Sequence, residues 1–151
     1  MSRIDFYHLQ KQTLDEVLPK LLQKVYASGK NALVKVGTAE RIDFINSLLW
    51  TYDDESFLPH GSKKDGFADQ QPIWLTTDDD NPNKSTMLFL VDGAQVDVAR
   101  ISEFERVFNV FDGNLPEELD QARNLWKLLK NAGYDIYYWQ QSANGTWHQH
   151  N

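Results

Sequence analysis

The sequence of 151 residues contains no cysteine. A disulfide-stapled scaffold, a thiolate metal site and a cysteine nucleophile are therefore excluded. No apolar run approaches the length of a membrane span, and the first ten residues lack the cationic and apolar parts of a signal peptide. We therefore expect a cytoplasmic protein that makes no contact with a membrane.

Basic residues are scarce relative to acidic ones. Lysine and arginine total 15 against 22 aspartates and glutamates, which gives a net charge of −7, and no basic run is longer than Lys63-Lys64. Proteins that bind nucleic acid usually present a basic face to the phosphates, so no direct nucleic-acid partner is expected. A hydrophobic fraction of 41% is ordinary for a globular protein, and the length predicts one domain over residues 1–151.

The common catalytic motifs are missing. The sequence contains neither G-x-x-x-x-G-K-[ST] nor G-x-G-x-x-G nor G-x-S-x-G. Residues 61–66 have the composition of a phosphate loop but not its spacing. Asp78–Asp80 could hold a divalent cation, but no EF-hand register follows it, and we interpret it as a solvated turn. No catalytic residue, metal or cofactor is expected, and a binding protein is favoured over an enzyme.

Apolar periodicity alternates between the patterns of strands and helices. Strands are predicted over residues 3–9, 32–36, 72–76, 86–91, 106–111, 134–140 and 146–149, and helices over 13–26, 38–50 and 114–133. Residues 53–71 show no sustained period and are predicted to form a long loop. This order predicts an α/β protein with a single open, mostly parallel mixed sheet flanked by helices.

The segment 114–133 carries the clearest helix signals. Asn114 and Glu117 have the spacing of a capping box, Pro116 lies in the first turn, and Gly133 marks the end. One apolar stripe follows from a rotation of 100° per residue. Its members are Leu115, Leu119, Ala122, Leu125, Leu129 and Ala132. The pattern predicts an amphipathic helix packed against the sheet.

A large aromatic residue lies among cations at the edge of this stripe. Trp126 follows Arg123 by three residues, with Lys127 and Lys130 on the more polar flank. This group suits a partner that presents one apolar residue beside carboxylates. Bases late in a helix are also what the helix dipole favours, and a tryptophan at a stripe edge is commonly part of a core. Both interpretations stay open on pattern alone.

Several motifs resemble one known family. They are Leu49-Trp50, the segments 56–61 and 122–127, Ala132-Gly133-Tyr134 and Tyr138-Trp139-Gln140. In order and spacing they are similar to the chi subunit of bacterial DNA polymerase III, and the resemblance extends from residue 3 to Gly145-x-Trp147. It implies a fold with the outline of a nucleotide-binding, Rossmann-like sheet but without the phosphate loop, in agreement with the missing glycine motifs.

The resemblance also implies a function: a non-catalytic adaptor in the clamp-loader part of the replicase. One surface of such a protein binds the psi subunit, and another binds the acidic, phenylalanine-ended C-terminal tail of single-stranded-DNA-binding protein. The implied tail-binding residues are Arg123, Trp126, Lys127 and Lys130. The implied psi-facing residues are Trp50, Phe57, Leu58, Pro59 and His60, with Pro59 and His60 shaping the loop.

One position departs from this pattern. Asp112-Gly113 stands where some relatives carry an apolar residue and proline beside the tail pocket, so the acid either weakens capture of an acidic tail or points away from it. Two other functions stay open at this stage. One is a small nucleotide- or phosphosugar-binding enzyme with the same sheet. The other is an adaptor for a different acidic-tailed or helicase partner.

Overall fold

The computed structural model describes residues 2–53, 58–142 and 144–149. Its strands are β1 (Arg3–Leu9), β2 (Ala32–Val36), β3 (Gly61–Ser62), β4 (Ile73–Thr76), β5 (Met87–Val91), β6 (Arg106–Asp112), β7 (Asp135–Gln141) and β8 (Trp147–Gln149). They form one sheet in the order β3-β4-β2-β5-β6-β1-β7-β8. All neighbouring pairs are parallel except β7 and β8, which are antiparallel.

Three α-helices pack against this sheet. They are α1 (Leu14–Ala27), α2 (Ala39–Thr51) and α3 (Pro116–Asn131), and two short 3₁₀ helices span Ala68–Gln70 and Val98–Glu103. The predicted fold class, an open and mostly parallel mixed sheet flanked by helices, is confirmed. The segment predicted as a long loop contains the two-residue strand β3 and the first 3₁₀ helix.

The central strands are apolar on both faces. All five residues of β5 and all four of β4 are buried, so each face of the sheet needs a cover. Helices α1 and α2 cover one face, with Leu18, Leu22 and Ile45 fully buried. Helix α3 covers the other face through three buried residues, Ala122, Leu125 and Leu129. The two halves of the core therefore lie on opposite sides of the sheet.

Helix α3 begins two residues later than predicted. Leu115 occupies the N-cap position and Pro116 the first helical position, so the predicted capping box of Asn114 and Glu117 is wrong. The Asn114 side chain instead donates to the carbonyl of Gln10 (3.2 Å), and its backbone N–H donates to the Asp112 carboxylate (2.9 Å). Tertiary contacts between the end of β1 and this turn thus replace the local cap.

A buried carboxylate joins the three strands β6, β1 and β7. Asp5 is 0% exposed and accepts hydrogen bonds from Arg3 (2.9 Å), from Arg106 (3.0 Å) and from the Trp139 indole (3.0 Å). Burial raises the pKa of the Asp5 carboxyl, but the bonds from Arg106, Arg3 and Trp139 outweigh it, and the net result is a lowered pKa. The carboxylate is therefore held in its charged form.

Asp5→Asn is expected to lower the free energy of unfolding at pH 7 by about 3 kcal/mol, because it leaves two arginines without their shared anion. Since the folded-state pKa lies below the ordinary value of 3.8, the stabilisation is present above that value and is lost as the pH falls through the lowered one. Urea unfolding at pH 7 and at a pH below the lowered pKa compares the free energies of unfolding of the unchanged protein and the variant. The difference between the two should be smaller in acid. Asp135→Asn, an exposed carboxylate on β7, is the control and should change little.

Candidate protein-binding surfaces

The four residues predicted to bind an acidic tail lie on one side of α3. Spacings of three, four and seven residues bring Arg123, Trp126, Lys127 and Lys130 onto the same flank of the helix. The three cations are exposed, whereas Trp126 is partly buried and packs against the apolar cluster beneath α3. The structure therefore brings the predicted residues together, with the indole at the boundary between core and solvent.

These cations have no acidic partners of their own. Within the described ranges, Arg123, Lys127 and Lys130 form no salt bridge, although other basic residues of the chain do. The Lys130 ammonium lies over the Trp126 ring, 4.6 Å from its centroid, as a cation–π contact. The flank thus presents uncompensated positive charge beside an aromatic ring, in a chain whose net charge is −7.

Tyr138 of β7 lies next to this flank. It belongs to the same apolar cluster as Trp126, and its hydroxyl is 2.8 Å from Nδ1 of His8. Burial raises the pKa of the Tyr138 hydroxyl, and the positive charge of Arg123 opposes that rise. Sequence reasoning missed this residue as part of the site. The alternation of β7 was the available signal, since Ile136 and Tyr138 share the face that α3 covers.

Asp112, the acid at the position that departs from the family pattern, forms hydrogen bonds close to its own turn. The Asp112 carboxylate accepts from the backbone N–H of Asn114, and the Asp112 N–H donates to Glu118 (3.1 Å). Gly113 is required beside it, because a Cβ there would lie 1.9 Å from Nε2 of His8. The Asp112 carboxylate thus has a hydrogen-bond donor within its own turn.

The second predicted surface centres on Trp50. This residue is 49% exposed at the end of α2, and its ring lies on His60 with centroids 4.3 Å apart. The His60 ring nitrogens lie 2.7 Å from the Leu58 carbonyl and 3.0 Å from the Asn46 carbonyl, so the imidazole ties the loop to α2. Trp50 is therefore a surface residue whose ring packs on a buried histidine.

Two of the predicted psi-facing residues do not reach the surface. Leu58 is 1% exposed within the core under α1 and α2, and His60 is 4% exposed, so neither contacts a partner in this conformation. They position the loop instead, the role expected for His60. Pro59 is partly buried, and Phe57 lies outside the described residues.

An exposed phenylalanine on the same helix was not predicted. Phe44 is 46% exposed, and the Arg41 guanidinium lies 4.4 Å from its ring centroid. The signal was present in the sequence, because a rotation of 100° per residue places Phe44 away from the stripe of Ile45 and Leu49. Helix α2 therefore presents aromatic side chains on two of its sides.

The turn at residues 78–80, which was interpreted as solvated, contacts basic residues. Asp79 pairs with Lys35, and its backbone carbonyl accepts from Arg100. The hydrogen bond from Lys35 holds the pKa of the Asp79 carboxyl below its usual range. These contacts correspond to the interpretation of residues 78–80 as a surface turn.

The described part of the chain is an open, mostly parallel α/β sheet flanked by helices, with exposed aromatic and basic side chains on α2 and α3. Over residues 1–137 the chain matches the family described as DNA polymerase III chi subunit, HolC, and it belongs to that family. Proteins of this family are accessory subunits of DNA polymerase III, which replicates DNA.

A relative from Rickettsia prowazekii (strain Madrid E), named "Probable DNA polymerase III subunit chi", is 28% identical over 156 residues. The similarity covers 99% of this chain and 92% of the relative. In the part of the chain that the structure describes, no helix has the length and apolar character needed to cross a membrane.

The structure predicts effects of different size on stability for two neighbouring substitutions. His60→Ala is expected to lower the free energy of unfolding by about 1–3 kcal/mol, because the buried ring that lies between the Leu58 and Asn46 carbonyls and donates a hydrogen bond is lost. Trp50→Ala should change it by less than about 1 kcal/mol, because the ring is half exposed. Urea unfolding followed by circular dichroism makes the comparison. A larger loss for Trp50→Ala than for His60→Ala would contradict the assignment of Trp50 to the surface.

Proposed function

We propose that the protein is a non-catalytic adaptor subunit of the DNA polymerase III holoenzyme. It binds the acidic C-terminal tail of single-stranded-DNA-binding protein through α3, and the psi subunit of the clamp loader through the Trp50 surface. This function places it in the cytoplasm with the replication machinery. The observation that carries the proposal is the cluster of unpaired cations around a partly buried indole.

The chemistry of the α3 flank matches that of the tail. A terminal phenylalanine needs an apolar wall, which Trp126 supplies, and its carboxylate and neighbouring aspartates need cations. Arg123 offers a forked donor, while Lys127 and Lys130 add point charges. Tyr138 of β7 packs against the same apolar cluster as Trp126 and adds a second aromatic ring.

The expected affinity is modest. Burial of one apolar anchor contributes about 1.5–3 kcal/mol, and each exposed ionic contact contributes about 0.2–1 kcal/mol. After the cost of association is subtracted, the dissociation constant is on the order of micromolar. A weak contact is useful on a template coated with many tails, because release stays fast while rebinding is frequent. It also lets an acidic protein act at DNA without touching the phosphates.

Fluorescence anisotropy with a labelled acidic peptide ending in Pro-Phe tests the tail site. Binding should weaken as salt rises, since the exposed charges are screened. Arg123→Ala and Lys127→Ala should each weaken it at least several-fold. Lys20→Ala removes an equally exposed cation from α1 and serves as the matched control. Unchanged affinity in both α3 variants would exclude the proposed site.

Co-purification with the psi subunit of the same bacterium tests the Trp50 surface. Trp50→Ala should reduce recovery of the complex strongly, because large aromatic residues at interfaces contribute about 2 kcal/mol or more when they act as anchors. Phe44→Ala is the control, since it removes a similarly exposed ring from the same helix. Full recovery of the complex with Trp50→Ala would show that the psi subunit binds a different surface.

A further inference from the structure

A cavity of about 390 Å³ lies between α1 and the first residues of β5 and β6, on the sheet face opposite α3. Its apolar walls come from Leu21 and Val25 of α1, Met87 of β5 and Phe108 of β6. Basic side chains from three separate parts of the chain, Lys24, Lys30 and Arg106, line the same cavity. No part of the proposed tail and psi surfaces contributes to it.

Arg106, which lines this cavity, shares a carboxylate with a second arginine. Arg106 donates to both oxygens of Asp5 at 3.0 Å, and Arg3 donates to the same carboxylate at 2.9 and 3.1 Å. Asp5 is fully buried and brings one negative charge to the two arginines, of which Arg106 lines the cavity. The guanidinium of Arg106 also lies 4.4 Å from the centroid of the Phe108 ring, which fixes its position over an apolar surface.

The lysines add to this excess of positive charge. Lys30 pairs with Glu105 at 2.5 Å, whereas Lys24 forms no salt bridge within the described ranges. Three cations therefore line the cavity. Glu105 pairs with Lys30 and Asp5 pairs with Arg106, so the excess positive charge lies at Lys24. In a chain of net charge −7 this is a local positive site, and its complement is an anion that also carries an apolar group.

The orientation of the rings distinguishes a peptide from a nucleic acid. Phe108 stands between Phe89, at 4.3 Å and 5°, and Tyr7, at 6.3 Å and 15°, so its faces are turned toward other rings. Nucleobases bind single-strand proteins by stacking on exposed ring faces, which this row does not offer. The ring edges and the aliphatic walls instead form a slot for one side chain.

We infer that this cavity is a binding site for an acidic peptide segment of a partner protein, with one large apolar side chain in the slot and its carboxylates at Lys24, Lys30 and Arg106. The site lies on the opposite side of the sheet from α3, so it is independent of the proposed tail site. One chain therefore presents two separate sites for acidic peptides.

An ¹⁵N NMR titration with a synthetic peptide of several aspartates followed by Pro-Phe resolves the two sites. Amide signals of Val25 and Met87 report the cavity, and those of Trp126 and Lys127 report α3. In Lys24→Glu, the affinity read from the cavity signals should fall about five-fold or more, because an attractive contact becomes repulsive. Lys20→Glu makes the same charge change on α1 outside the cavity and should leave those signals as in the unchanged protein.

The outcomes separate this inference from the proposed function. Shifts in both sets of signals, with only the cavity set weakened by Lys24→Glu, support a second peptide site. Shifts confined to α3 overturn the second site and leave the tail site in place, whereas shifts confined to the cavity support this inference and count against the tail site. If an oligothymidine shifts the cavity signals and the peptide does not, the ligand class is wrong.

Discussion

The apolar character of the central strands on both faces is the constraint from which the rest of this structure follows. Strands β4 and β5 are buried throughout, so helices must cover the sheet on two sides. Three helices cannot cover every strand of an eight-stranded sheet. The flank of α3 above β7 and the end of α2 therefore remain at the surface, and both carry tryptophan.

Charge then distinguishes the candidate surfaces from the rest of the molecule. Several basic side chains form salt bridges with acidic residues. Arg41 pairs with Asp92, and Lys64 pairs with Asp43. The cations around Trp126 have no such partner in the described part of the chain. Leaving charges unpaired costs little at the surface, where water solvates them, and it keeps them available for a ligand. That difference, rather than the overall charge, supports the binding role proposed for this flank.

The sequence predicted the elements well because their signals are local. The alternation in β1 and β2 placed both strands at their observed bounds, and the 3.6-residue period located all three helices within two residues of each end. The features it missed depend on tertiary contacts. The Asn114 side chain donates to the Gln10 carbonyl instead of capping α3. Leu58, which the resemblance implied to face the psi subunit, is buried in the core. Tyr138 joined the site only because α3 packs beside β7.

The two proposed surfaces are separated by the sheet itself. Trp50 belongs to a helix on one face and Trp126 to the helix on the other, so partners bound at the two positions do not compete for the same residues. Their chemistry also differs, since the exposed ring of Trp50 packs on the His60 ring, whereas Arg123, Lys127 and Lys130 lie on the same flank of α3 as Trp126. Binding at the first surface should consequently depend weakly on salt and binding at the second strongly. An adaptor built in this way can hold one partner steadily while it exchanges the other.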